Sequence, residues 1–325
     1  MKLILQKIIA VLARATIRKY HPTVVGVTGS VGKTTTRMAI FTVLKKKYRV
    51  KTAEKNYNNE IGLPLAILGI PHYGRNVLLW AVAFASRTFR LVARERSYPE
   101  VLVLEYGVDR PGDMGYLLSI AKPHIAVITA LGEVPVHVEY FVDSEALAGE
   151  KEKIIKSLLA DGWAILNYDD PRVRAMKEKT SARVLTYGTG EGADMGILHL
   201  ETRTRPGTHF LGEVPEGISF KIKQGGTIMP FRLAAFGLSS AYTASASAGV
   251  GVAMGLNLVE VSQALETFIP PVGRMRLLAG IKGSWILDDT YNASPASTKS
   301  ALEILKELPG HRRIAVLGGM LELGR

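Results

Sequence analysis

The sequence predicts an α/β protein: a doubly wound, mostly parallel sheet with a small antiparallel lobe and the opening of a second α/β domain. Three observations lead there. Val101-Leu-Val-Leu104 and Ile125-Ala-Val-Ile128 are short continuous apolar runs, the mark of strands buried on both faces. Helix-compatible segments separate such runs, and strands alternating with helices build parallel units. Ile218-Ser-Phe-Lys-Ile-Lys223 instead alternates apolar and polar residues and meets Gln224-Gly225-Gly226, which reads as a hairpin.

A chain of 325 residues, 47% of them hydrophobic, is long enough for two domains with real cores. It has no cysteine, so disulfides and thiolate metal sites are excluded and a reducing compartment fits. A net charge of +12 fits nucleic acid, an anionic membrane surface or phosphorylated acidic substrates. The basic residues do not interleave with aromatics as in a strand-binding groove, which argues against nucleic acid. No run of 18 uncharged apolar residues occurs, so no segment reads as spanning a bilayer.

In chain order, Leu5, Ile8, Ile9 and Leu12 recur at helical spacing among Lys2, Lys7, Arg14, Arg18 and Lys19. Residues 1–22 therefore read as a basic amphipathic helix, packed on the domain behind it or lying on a membrane surface. Gln6 and Lys7 interrupt the apolar stretch, which argues against a secretory signal. Val24-Val-Gly-Val-Thr-Gly-Ser-Val-Gly-Lys-Thr-Thr-Thr36 follows. A β-branched run that ends in a glycine-punctuated turn and opens into a helix offers free amides and a positive helix end to phosphate. Gly29, Ser30, Val31, Gly32, Lys33, Thr34 and Thr35 are thus a candidate ATP site of P-loop type, with Lys33 on the outer phosphates and the Thr34 hydroxyl on Mg²⁺. Its glycines stand at 26, 29 and 32, where the strict pattern asks for one at Val27, so the loop is a variant.

Thr35 to Lys46 reads as a helix, and polar residues 51–60 as a loop that either is solvated or faces substrate. Residues 75–97 form a second amphipathic helix, Val77 to Ala85 followed by Arg87, Arg90, Arg94 and Arg96. It either covers the sheet or touches a membrane surface. Glu105 ends an apolar strand where open α/β sheets bind ligands, a place from which a carboxylate holds Mg²⁺. Ser144 to Leu159 reads as a helix with Ser144 as N-cap, and Trp163–Leu166 and Val184–Tyr187 as strands. Residues 188–236 form the small β lobe. Ser239–Met254 and Leu258–Phe268 read as helices, and Pro270-Pro271 marks a boundary. Beyond it come a strand at Trp285–Leu287, a helix at Ser297–Leu308 and a strand at Ile314–Leu317. The expected domains are 1–22, 23–270 and an incomplete 271–325.

Several ordered motifs carry a resemblance. They are Gly26–Thr36, Asn58-Asn-Glu-Ile-Gly-Leu-Pro64, Leu104-Glu105 with Asp109-Arg-Pro-Gly-Asp-Met114, His137-Val-Glu-Tyr-Phe141 and Glu150-Lys151. Asn167-x-Asp-Asp, Gly273-Arg-Met275, Asp288-Asp-Thr-Tyr-Asn-Ala293 and Val316-Leu-Gly-Gly-Met-Leu-Glu-Leu-Gly324 complete the set. Together they resemble the Mur ligase family, in its MurF-type branch. The resemblance implies a central ATP-binding domain and the start of a Rossmann-like ligase domain. It implies cytoplasmic peptidoglycan synthesis, in which ATP phosphorylates the carboxylate of a UDP-muramoyl-peptide and D-Ala-D-Ala attacks the acyl phosphate. By the same resemblance Lys33, Lys151 and His137 are catalytic, and Thr34, Glu105, His137 and Lys151 place Mg²⁺, Lys151 as a carbamate. Asn167, Arg274, Asp289, Tyr291 and Asn292 then match nucleotide-side positions.

By its residues alone, Lys151 in a Glu-Lys-Glu-Lys run reads as a helix-surface lysine. The chain also departs from the family's pattern. Ser239, Ser240 and Thr243 stand where a His and an Asn usually meet adenine, Gly319 replaces an Asp and Ser294 an Asn. The UDP-sugar domain and most of the C-terminal domain are missing, which implies a truncated enzyme or one that depends on a completing chain. Two alternatives stay open: a nucleotide-binding, catalytically incompetent scaffold at the membrane, and a related ligase for another amino-acid substrate.

Overall fold

The apolar runs become strands because a segment without polar side chains can only be placed between two helical layers. A computed structural model describes residues 2–53, 57–93, 97–132, 140–207 and 213–320. The chain begins with α1 (Lys2–Tyr20), β1 (Thr23–Thr28), α2 (Lys33–Leu44), β2 (Val50–Thr52), α3 (Gly62–Leu68) and α4 (Val77–Ala93). It continues through β3 (Val101–Glu105), α5 (Asp113–Ile120), β4 (Ile125–Ile128), α6 (Ser144–Lys156), β5 (Trp163–Asn167), α7 (Pro171–Ala175) and β6 (Arg183–Gly188). Then come β7 (Met195–Pro206), β8 (Glu213–Gln224), β9 (Thr227–Leu233), α8 (Gly237–Ala253) and α9 (Leu258–Leu265). A hairpin of β10 (Arg276–Ala279) and β11 (Trp285–Asp288) precedes α10 (Pro295–Glu307).

Among the described residues nine strands form one sheet in the order β2-β3-β1-β4-β5-β6-β7-β8-β9. Pairing is parallel from β2 through β7 and antiparallel from β7 through β9. Ile9, Leu63, Leu102, Ala126 and Ile154 fill the layer on one face. Val25, Ile40, Val103, Ile165 and Val261 fill the other. The small residues of α8 let it press between α2 and α9: a Cβ on Gly251 would lie 2.7 Å from Val261 and 3.2 Å from Val43. Strand β1 is central, with Val27 opposite both Glu105 and Val127. Its register brings the carboxyl ends of β1, β3 and β4 to one edge.

The structure adjusts several expectations. The antiparallel lobe extends the sheet edge to edge, because Tyr187 and Gly188 pair with Met195 and Gly196 before β7 turns back. Strand β2 was not legible, its three residues being too few to set a period. Helix α6 is capped by Asp143 rather than Ser144, the Asp143 carboxylate accepting from the Ala146 amide at 2.7 Å. Ile314–Leu317 is not a strand. A strand exists through its ladder bonds, and among the described residues none runs alongside it. Helix α1 buries Ile9, Ala10 and Ala13 against the domain, while Leu3, Ile4 and Val11 face outward.

His124 joins the starts of β1 and β4. Its amide donates to the Val24 carbonyl at 2.8 Å, and its Nδ1 accepts from the Val24 amide at 3.0 Å. That bond needs an unprotonated Nδ1, and burial lowers the imidazole's pKa below 6.5 against the pull of Asp161. With the folded value depressed, the unfolded chain takes up the proton first. Stability is then lost as pH falls through 6.5 toward the folded value, by an amount that solvent screening of the exposed residue keeps small. His124→Asn keeps an acceptor without the titration. In urea denaturation from pH 7 to 5 it is expected to lose less stability than the unsubstituted chain.

Candidate active site

Strand β1 ends at Thr28, and Gly29 leaves it at φ 140°. A Cβ there would meet the Thr129 hydroxyl at 2.0 Å, so no larger residue fits. The Ser30 and Val31 amides donate to the Ala130 carbonyl at 2.8 and 3.2 Å, pinning the loop to the end of β4. Gly32, at φ 84°, occupies the N-cap of α2 without a side-chain cap. The first-turn amides of Lys33, Thr34 and Thr35 therefore have no intrahelical acceptor, and they stand at the positive end of the helix. The Lys33 ammonium donates to the Ser30 carbonyl at 3.1 Å.

Glu105 is 3% exposed and satisfied on both oxygens. Oε2 accepts from the Thr34 hydroxyl at 3.0 Å and lies 3.4 Å from Arg37 Nε. Oε1 accepts from Asn58 Nδ2 at 3.1 Å. Arg37, also buried, donates to the Thr52 hydroxyl at 2.6 Å and to the Ala53 carbonyl. Burial lowers its pKa, and Glu105 opposes the shift. The adjoining Thr34 hydroxyl and Glu105 carboxylate are hard oxygen donors of the kind Mg²⁺ takes, with phosphate and water completing its shell. Among the described residues no group of three or more His, Cys, Asp or Glu converges on a metal position.

Lys151 is the main surprise. It is 2% exposed, and its Nζ donates to the Ser30 hydroxyl at 2.9 Å. Lys153 and Lys156 stay exposed and pair with Glu150 and Glu152, so the expected surface lysine is overturned at Lys151. The buried Glu150 carboxylate accepts from the Met114 amide at 3.1 Å, which ties α6 to α5. Burial drives the Lys151 pKa well down, Lys33 adds to the effect and Asp109 opposes it. Lys33 is lowered too, by burial first, with Glu105 and Asp109 raising and Arg274 lowering. Asp109 is held by its turn, where the Asp113 carboxylate accepts from the Asp109 and Arg110 amides at 3.0 and 2.7 Å.

Asn167 ends β5, buried, its side chain accepting from the Asp169 amide at 3.0 Å. Burial alone would raise the Asp169 pKa, but hydrogen bonds from Thr189, Tyr242 and Gly190 outweigh it and the net shift is downward. Asp170 caps α7 and accepts from the Leu131 and Gly132 amides at 2.8 and 3.2 Å. Two of the three positions expected near adenine are engaged within the protein. Ser240 donates to the Phe236 carbonyl at 2.7 Å, and the Thr243 hydroxyl lies 3.4 Å from that of Thr36.

Arg274 stacks 4.1 Å over the Tyr291 ring. Its charge acts on Lys33 and is acted on by Glu105, so the segment after Pro271 turns back toward the loop. Asp289 accepts from the Met275 amide at 3.2 Å, and burial raises its pKa. Asn292 is exposed and accepts from the Ala293 amide at 2.9 Å. His137 lies outside the described residues. The structure thus gathers Ser30, Lys33, Thr34, Glu105, Lys151 and Arg274 about one helix end. The sequence reading missed Arg37 and the Asn58 contact. Arg37 was findable, because it follows Thr34 by three residues and so shares its helix face.

A parallel sheet whose first loop opens into an uncapped helix end, with Lys and Thr in that helix's first turn, is the architecture of the P-loop nucleotide-binding class. The chain belongs to the Mur ligase family. The Mur ligase middle domain matches residues 27–79 and 86–250, and the Mur ligase glutamate ligase domain matches residues 273–325. The chain is 32% identical over 314 residues to the UDP-N-acetylmuramoyl-tripeptide--D-alanyl-D-alanine ligase of Bacillus subtilis, covering 96% of this chain and 59% of that protein. It is 30% identical to the ligase of the same name from Mycobacterium leprae, covering 93% of this chain and 56% of that one. The crystal structure of MurF from Thermotoga maritima in complex with ADP is 30% identical with a TM-score of 0.78, covering 98% of this chain and 65% of that chain. MurF from Acinetobacter baumannii, at 24% identity and a TM-score of 0.78, shares the fold over 99% of this chain and 61% of that one. The chain spans under two thirds of the length of these relatives.

Removing one partner of a buried ion pair strands the other charge at a cost of about 3–5 kcal/mol. Arg37→Met is expected to lower the unfolding free energy by that amount in urea titration. The double variant Arg37→Met/Glu105→Met is expected to recover most of the loss, since no unpaired charge remains.

Proposed function

We propose that this chain carries the ATP-binding, carboxylate-activating part of a MurF-type ligase in peptidoglycan synthesis. The observation that carries the reading is the buried Lys151, whose Nζ lies 2.9 Å from the phosphate-loop hydroxyl of Ser30. A phosphate site alone does not require a second buried lysine. In the proposed reaction an oxygen of a UDP-muramoyl-peptide carboxylate attacks the γ-phosphorus of ATP, and ADP leaves with the electron pair of the broken P–O bond. The amine of D-Ala-D-Ala then attacks the acyl carbon, loses a proton, and inorganic phosphate departs as the amide forms.

The first-turn amides of α2 and the Lys33 ammonium would hold the β- and γ-phosphates and meet the charge that spreads over the transferring group. Thr34 and Glu105 would hold Mg²⁺. Bound there, Mg²⁺ would neutralise charge on the phosphoryl oxygens. Burial lowers the Lys151 pKa, which favours the unprotonated amine, the form that adds to carbon dioxide. The resulting carbamate would be a new anionic group beside the loop. His137 is kept as a further catalytic and metal-side residue, and Gly29, Val31, Gly32, Thr35, Asn167, Arg274, Asp289 and Asn292 as nucleotide-side residues. We assign residues 23–270 to the central domain and 271–325 to the start of the ligase domain. The remaining length of the relatives, supplied in continuation or by a completing chain, would bring the amine. Dependence on ATP makes the reaction cytoplasmic, and we add to it peripheral contact with the inner membrane face, supported by the basic outer surface of α1.

The test is phosphate release from ATP and Mg²⁺ with UDP-muramoyl-tripeptide and D-Ala-D-Ala. Lys33→Ala is expected to lose on the order of 10²-fold or more. With hydroxylamine in place of D-Ala-D-Ala, the acyl phosphate is expected to be trapped as a hydroxamate. Equal substrate-dependent release by Lys33→Ala and the unsubstituted chain would sink the reading.

A further inference from the structure

We propose that α1 and α4 form one docking surface for an anionic phospholipid bilayer, with α4 as the inserting helix. The inference rests on the peripheral contact above and goes further by assigning its face. Of the residues of α4 only Trp80 and Ala83 are buried. Leu78, Val82, Ala85, Phe89 and Val92 recur at three- and four-residue spacing, which aligns them on one outer stripe. Leu78 is 73% exposed, Phe89 71% and Val92 79%. Helix α1 repeats the device with Ile4, Ile8 and Val11 outward and Ile9 and Ala13 inward.

The two helices meet through their C-terminal halves. The Tyr20 hydroxyl donates to the Arg90 carbonyl at 2.9 Å, Lys19 donates to the Leu91 carbonyl, and Thr16, Tyr20, Arg87 and Leu91 line one crevice. Charge selects the occupant. Neither helix contains an Asp or Glu. At 100° per residue, Lys7, Arg14 and Arg18 fall along one flank of the outward stripe of α1. An apolar stripe beside a purely cationic flank complements a surface with anionic headgroups above hydrocarbon, where such a helix lies in the interface plane. Among the described residues no helix is long and apolar enough to cross a membrane, which is the in-plane case. A protein partner would need an acidic patch facing Lys7 and Arg18 together with an apolar one facing Leu78 and Phe89. A bilayer supplies both at once.

The test is flotation of the chain with vesicles of phosphatidylcholine alone and with phosphatidylglycerol added. The unsubstituted chain is expected to float with the anionic vesicles at low salt and to fall away as salt screens the contact. Leu78→Glu/Phe89→Glu is expected to bind at least tenfold less, with circular dichroism and ATP binding unchanged. Leu159→Glu, an exposed apolar position elsewhere, is expected to bind as before. If the chain floats but the double variant floats equally, the contact stands and this face is not its site. If the chain floats with neither vesicle, the contact and the inference fall together while the ligase reading is untouched. An oligomer that Leu78→Glu/Phe89→Glu dissociates, without flotation, would make the face a protein interface and overturn the proposal.

Discussion

A carboxylate buried at the end of a central strand dictates much of what surrounds it. Ionised Glu105 has left water, a transfer that costs several kcal/mol unless partners replace the lost hydration. Those partners come from two places in the chain: Thr34 and Arg37 from the first turns of α2, and Asn58 from the loop after β2. Arg37 in turn needs acceptors, and finds them at Thr52 and Ala53 where β2 ends. One buried charge therefore fixes the rotation of α2, the position of an edge strand and the path of a polar loop. The same demand keeps a carboxylate beside the Thr34 hydroxyl in the first turn of α2.

The second constraint is repulsive. Lys33 and Lys151 both approach Ser30, one at its carbonyl and one at its hydroxyl. Burial disfavours the charged form of both side chains, and Lys33 further disfavours charge on Lys151. Asp109 relieves part of this from its ordered turn. Anionic phosphate would relieve the rest, so the site is electrostatically incomplete without its ligand. The balance differs from that at Glu105, where protein groups alone satisfy the charge.

The layers on the two faces of the sheet are unequal. Beneath the small-residue helix α8 the packing closes fully, with Ala241, Ala244, Ala248 and Val250 at zero exposure. On the other face α1 and α3 complete the core, and α4 rides outside them with most of its apolar surface uncovered. An aliphatic face left bare in water has a free-energy cost of about 25 cal/mol per Å².

The sequence by itself determined the parallel core, the phosphate loop and the family. Each rests on local information: continuous apolar runs for strands buried on both faces, glycines before a helix, and motifs in fixed order. It placed Glu105 at a strand end for the same reason. Only the tertiary structure decided that Lys151 turns inward while Lys153 and Lys156 stay out, because a run of alternating charge looks alike on every face until a neighbouring element covers one of them. It also decided that Arg37 serves Glu105 across 68 residues of chain, a pairing without local signature. The antiparallel strands join the sheet's edge through two residue pairs at Tyr187 and Gly188, and their alternation reveals a half-buried face but not the partner beside it. Periodicity reports which side of an element is apolar; what covers that side is a property of the packed chain.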